Sequence, residues 1–178
     1  QMHPADSWLD RTNWDRCLTN HGVPPVGTNY NNTYHILQTP NVVAIHVENI
    51  HDVRIIPIDN QPRLDDAIRQ WNGDSRAYWE GDTLVVDTTN FQDAPSLSGA
   101  SRNLHVVERF TPIDADTLLY AFTVEDPTVW TEPWSGEYVW PATGDKVYEY
   151  ACHEANYSFG GILRGARVLE GDARAAAR

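Results

Sequence analysis

No apolar run in the 178-residue chain approaches the roughly 18 residues that a membrane-crossing helix needs. Basic residues are scarce as well: 13 Lys and Arg face 25 Asp and Glu, a formal charge of -12, and the basic side chains are scattered singly. Nucleic acid and anionic lipid both require clustered Lys or Arg. The expected partner is therefore a small-molecule ligand or substrate, neutral or cationic, with neither nucleic acid nor a membrane. Cysteine is nearly absent, and Cys17 and Cys152 are too few and too far apart for a zinc ribbon or a redox CxxC. They form either one long-range disulfide, tying the N-terminal arm to the last strand, or two free buried thiols. A disulfide of that span contributes roughly 5 kcal/mol at most in the chain-entropy model and implies a periplasmic or extracellular home. Also missing are a GxSxG elbow, a GxxxxGK[ST] loop, a GxGxxG after a strand and EF-hand spacing. Serine-hydrolase, nucleotide-driven and Rossmann-cofactor chemistries thus lack their sequence basis, and no organic cofactor is expected. The opening QMHPADSWLDRTNWDRC holds no apolar signal-peptide core, so an exported protein would already have lost its signal.

What is present reads as β structure in one domain, since no Gly/Ser- or Pro-rich linker divides the chain. Residues 1–33 are rich in Asn, Pro, Gly and Thr without apolar periodicity and read as an irregular arm. From Tyr34 onward, short segments rich in Val, Ile, Thr, Tyr and Trp alternate with turn signals. SRAYWE and TLVVDTTNF flank Gly81-Asp82, VVERFTPI and TLLYAFTVE flank Asp114-Ala115-Asp116, and SGEYVWPA and KVYEYACHE flank Gly144-Asp145, each pair a predicted hairpin. With the pair at 34–58 this predicts an all-β antiparallel meander of about eight strands. Closing into a lipocalin-like barrel over 34–168 disposes of its edges, with a two-sheet β-sandwich as the alternative. Residues 64–71 predict a turn or two of helix, and 169–178 a C-terminal tail, frayed or briefly helical.

Candidate functional residues come from the faces that alternation defines. In AIHVENIHDVRII, His46 and Glu48 share one strand face, with His51, Asp52 and Arg54 following at a turn. A His beside a carboxylate suits general acid-base work, and Glu48 with His51 is the expected proton-transfer pair. The alternative is a solvated face closed by surface ion pairs. His46, Glu48 and His51 also offer an alternative metal set of imidazole and carboxylate: two of them could reach one ion from a strand face, His51 has the opposite parity unless a turn intervenes, and a further ligand such as His105 or His153 would be needed. In LHVVERF, Glu108 falls on the apolar face with Leu104, Val106 and Phe110. It is either a catalytic acid with a raised pKa or the partner of Arg54 or Arg76. In YEYACHEANY, Cys152 and His153 point opposite ways along a strand, so a structural cysteine is expected, while His153 and Tyr157 supply polar groups at a pocket rim. Trp79 near Arg76 offers a pocket wall, and Arg54 and Arg76 are expected anchors for an anion or carbonyl.

The strings IHDVRIIPID, QWNGDSRAYWEGDTLVVDTTNF, NLHVVERFTPIDADTLLY and YEYACHEANY resemble those of a family of uncharacterised, usually exported bacterial proteins, over about residues 14–168. The resemblance implies export and a single domain, and it carries no activity. The residues themselves lead to a cofactor-independent, small-molecule acid-base enzyme of lyase, hydratase, isomerase or cyclase type. The alternatives are a carbohydrate- or metabolite-binding module without catalysis and a His/Glu metalloprotein.

Overall fold

A computed structural model describes residues 5–19, 22–26, 30–59 and 61–177. Parts of the arm expected over 1–33, and the last residue of the tail, lie outside the described residues. Eight strands follow in order: β1 (Tyr34–Gln38), β2 (Val42–Val47), β3 (Val53–Pro57), β4 (Asp74–Glu80), β5 (Thr83–Thr89), β6 (His105–Asp114), β7 (Thr117–Glu125) and β8 (Trp134–Pro141). Two helices, α1 (Cys152–Ala155) and α2 (Tyr157–Ala176), complete the chain. Strands β1 to β3 form one antiparallel sheet and β4 to β8 a second.

The expected barrel does not close. β3 meets β4 at a single parallel bridge, Ile58 to Ala77, and among the described residues β1 and β8 share no ladder. Two antiparallel sheets of three and five strands agree with the two-sheet alternative. The cause lies in residues 58–73, which carry the chain across so that β4 enters parallel to β3, whereas an up-and-down barrel takes antiparallel neighbours throughout. Side chains cover the other seam: the Tyr34 ring of β1 stacks on Trp140 of β8, centroids 4.6 Å apart.

The period of two decides what the sheets bury. Val43, Ile45 and Val47 of β2 are buried while Val42, Ala44 and His46 are half-exposed, and Val106, Glu108 and Phe110 of β6 are buried between half-exposed His105, Val107 and Arg109. The inward sets of both sheets pack into one apolar core, in which each Val, Ile or Phe contributes about 1.5–3 kcal/mol. The hairpins expected at Gly81-Asp82 and Asp114-Ala115-Asp116 form, the first pairing Glu80 with Thr83 and the second Asp114 with Thr117 after a shift in register next to Pro112. Gly81, at φ +61°, supplies the positive φ of the first tight turn.

The expected strand KVYEYACHE is not one. After β8, residues 142–151 run without regular structure, and the chain turns helical at Cys152. The Tyr148 N–H donates to Glu48 Oε1 at 3.4 Å, and His51 Nδ1 lies 3.2 Å from the Tyr150 carbonyl oxygen. Side chains thus engage backbone groups that a ladder would otherwise take. Cys17 and Cys152 form a disulfide, Cα atoms 5.8 Å apart, which anchors the arm to this segment. The tail boundary expected at 169 falls inside α2, where Arg167 donates to the carbonyls of Asp6 at 2.6 Å and Ala5 at 3.0 Å.

Candidate functional site

An ion pair stands in the middle of the apolar core. Arg54, on the inner face of β3, donates through Nη1 and Nη2 to the two oxygens of Glu108 on β6, at 3.0 and 2.6 Å. Glu108 is 0 % and Arg54 8 % exposed. Two further donors and acceptors complete the cluster. Tyr120 Oη donates to Glu108 Oε1 at 3.0 Å, and Arg54 Nη2 donates to Ser75 Oγ at 3.2 Å, itself 2.9 Å from Thr88 Oγ1. Burial works to lower the Arg54 pKa, but the adjacent Glu108 carboxylate outweighs it and holds the guanidinium above its ordinary value. Burial, helped by the Glu108 charge, pushes the Tyr120 phenol well up. The bidentate geometry and the Tyr120 and Ser75 hydrogen bonds offset the desolvation of the pair, although Arg54 Nε is buried without an acceptor among the described residues.

The cluster lies between two openings. Where β3 and β4 splay before their single bridge, a polar cleft of about 470 Å³ is lined by Asp52, Arg54, Arg69, Asn72, Asp74 and Ser75, among others. Toward the β1–β8 seam lies a groove of about 880 Å³, walled by Tyr34, Ile36, Leu118, Tyr138 and Trp140. The groove is joined to the ion pair by rings: Trp140 stacks on Tyr120 with centroids 4.6 Å apart. Three carboxylates, Asp114, Asp116 and Asp145, line the groove, and among the described residues no Lys or Arg does. The Asp116 N–H donates to Asp114 at 2.9 Å, and this bond holds the Asp114 carboxyl below its usual value.

Of the candidates read from sequence, the structure brings Arg54 and Glu108 together and disperses the rest. Glu48 does not share a strand face with His46, because β2 ends at Val47 and Glu48 opens a 3-10 turn over Asn49–His51. It is 6 % exposed. Burial raises its pKa, but hydrogen bonds from Thr33, Asn31 and the Tyr148 N–H together bring it below the ordinary value. His51 is exposed and turned to Tyr150. His46 lies half-exposed on the outer face of β2. Among the described residues no three His, Cys, Asp or Glu side chains converge as metal ligands. Arg76 faces away from the core, donating to Asp74 Oδ1 at 2.5 Å and to the Gln61 and Pro62 carbonyls at 3.2 and 2.5 Å. Trp79 is 41 % and Tyr157 87 % exposed, and His153 is exposed in α1.

Sequence reasoning missed Tyr120, Ser75 and Thr88 as partners, Arg69 in the cleft, and Tyr34 and Tyr138 in the groove. Alternation signalled the inward position of Tyr120, two residues from Phe122, but period alone does not show which polar group it meets. Fold and site together define a two-sheet antiparallel β protein with an ion-paired core flanked by an aromatic groove and a polar cleft. No family model, curated protein or solved structure matches the chain.

Proposed function

We propose that the chain binds a small neutral or cationic molecule with a flat apolar face, a sugar ring or an aryl amine, in the groove between β1 and β8. The observation that carries this reading is the lining: Tyr138, 38 % exposed, and the edges of the stacked Tyr34–Trp140 pair offer aromatic surface, and Asp114, Asp116 and Asp145 offer acceptors without a Lys or Arg among the described residues. Ring faces attract flat apolar surfaces and cations alike, and about 880 Å³ is within the size of small-molecule sites. The formal charge of -12 favours the same ligands at long range. Catalysis at Glu108 is less well supported, because Arg54 and Tyr120 already engage both of its oxygens.

Titrating intrinsic tryptophan fluorescence with neutral sugars, aryl amines and matching aryl carboxylates tests the proposal. Saturable quenching by the first two groups, weakened in Tyr138→Ala, is expected, and equal or stronger quenching by the carboxylates would contradict it. The second reading is cofactor-independent acid-base chemistry of lyase or isomerase type, favoured by Asp52 lining the polar cleft beside Arg54. Asp52→Asn should then abolish turnover of a substrate found by panel screening without lowering Tm. Export to a periplasmic or extracellular home belongs to the same reading, supported by the disulfide between Cys17 and Cys152.

A further inference from the structure

The groove at the β1–β8 seam exposes backbone as well as rings. Consecutive residues 32–36 line its β1 side, and a run that includes both strand faces shows that the groove follows the edge of β1. The ladder from β1 to β2 uses alternate residues. The Glu48 N–H donates to the Thr33 carbonyl at 3.0 Å and the Thr39 N–H to the Val42 carbonyl at 2.9 Å, so the N–H and C=O groups of Ile36 and Gln38 point out from the sheet edge. Both residues are exposed, and those groups have no partner among the described residues. Such an edge is a template for a further strand. On the opposite wall, the Ala142 N–H donates to the Asp116 carbonyl at 2.7 Å, and the same alternation turns the backbone groups of Val139 toward the seam. Because β3 meets β4 in parallel and every laddered pair is antiparallel, β1 and β8 run parallel to each other. A strand laid between them would be antiparallel to both.

We propose that the groove takes an extended basic peptide, a segment of a partner protein, which adds as a strand to the free edge of β1. The inference rests on the reading of the groove as a ligand site and deepens it by naming the ligand class. In strand addition the main-chain hydrogen bonds give affinity and alternate side chains give specificity. Here one face of the added strand meets the aromatic surface of Tyr138 and the Tyr34–Trp140 pair. Its Lys or Arg side chains meet Asp114, Asp116 and Asp145, exposed carboxylates that line the groove. The formal charge of -12 selects basic segments over acidic ones.

The backbone amides of Ile36 and Gln38 read the site directly in ¹H–¹⁵N spectra of the intact protein. The probe is a capped hexapeptide of alternating Lys and Tyr. Its controls are the same peptide with Glu for Lys, two isomers N-methylated on one or the other alternate set of amides, and tyramine, an aryl amine without a peptide backbone. The expected result is a saturable shift of both amide signals and slower hydrogen exchange at both with the Lys peptide. Binding should weaken about tenfold on N-methylation of at least one set, on replacing Lys by Glu, and in Gln38→Pro, which removes an outward N–H and spares the ladder to β2. The remaining cross-peaks show that the variant keeps its fold. No shift at these amides, equal binding of the Glu peptide, or affinity unchanged by both N-methylations overturns the proposal. If tyramine then still moves the Trp140 indole signal, the peptide assignment alone falls; if it does not, the reading of the groove as a ligand site falls with it.

Discussion

Glu108 and Arg54 bury opposite charges inside an apolar layer, so each is tolerable only while the other is present. Arg54→Met or Glu108→Gln is expected to cost about 3–5 kcal/mol in urea unfolding, because either change strands one uncompensated group. The double variant Arg54→Met/Glu108→Leu should regain much of that loss. Single variants within about 1 kcal/mol of the parent would contradict the buried pair. On the outer face, His105 Nε2 lies 3.0 Å from Asp87 Oδ2. That hydrogen bond is the leading cause that raises the His105 pKa above 6.5 and lowers the Asp87 pKa below 3.8. The histidine's contribution is therefore complete below pH 6.5 and fades as pH rises through its raised folded value. The aspartate's contribution is present above 3.8 and fades in acid. With the side chains 35 % and 32 % exposed, the effect is expected to stay below about 1 kcal/mol. Tm should fall slightly from pH 6 to 8 in the parent and less in His105→Gln; equal slopes would count against the pairing. At this scale alternation made the inward position of Glu108 legible, but it left the choice between Arg54 and Arg76 open. The structure settles it through strand parity, since Ser75 and Ala77 take the inner face of β4 and Arg76 the outer.

Among the elements, the hairpins were the most legible because turn chemistry and strand period agreed. Gly81-Asp82 and 114–117 join β4 to β5 and β6 to β7 as the sequence predicts. The YEYACHE segment misled because its alternation of rings and charges mimics a strand, while its partners, Glu48 and His51, are nearly 100 residues upstream. Period 2 is a local signal, and it cannot report that distant side chains have claimed a segment's backbone. The cleft-forming turn before β4 rests on Gly73, whose φ is +70° and whose added Cβ would stand 2.5 Å from the Thr89 carbonyl oxygen and 2.6 Å from Thr88 Cγ2. Gly73→Ala combines a left-handed backbone with backbone collision and is expected to cost about 1–3 kcal/mol or more. Chemical denaturation checks this, and a neutral substitution would mean that the turn relaxes freely.

For the molecule as a whole, closure was the feature least available to sequence reasoning. Eight strands suffice for a barrel, but the crossing at 58–73 reverses the direction in which β4 enters and leaves two sheets with openings at both seams. The disulfide spans 135 residues and ties the N-terminal arm to the start of the helical segment. Its removal in Cys17→Ser/Cys152→Ser should cost at most roughly 5 kcal/mol by loop entropy, seen as a lower urea midpoint that a reductant does not lower further. A midpoint equal to the oxidised parent's would show that the crosslink constrains nothing in the unfolded chain.

The central claim, that the groove at the β1–β8 seam is a ligand site, is tested most directly by indole N–H resonances during titration with a neutral sugar or an aryl amine. Trp140 lines the groove, whereas Trp71 lines the polar cleft and Trp79 lines neither. A saturable shift of the Trp140 signal with Trp71 and Trp79 unmoved is the predicted result. An unmoved Trp140, or a larger shift at Trp71, would contradict the assignment of the groove.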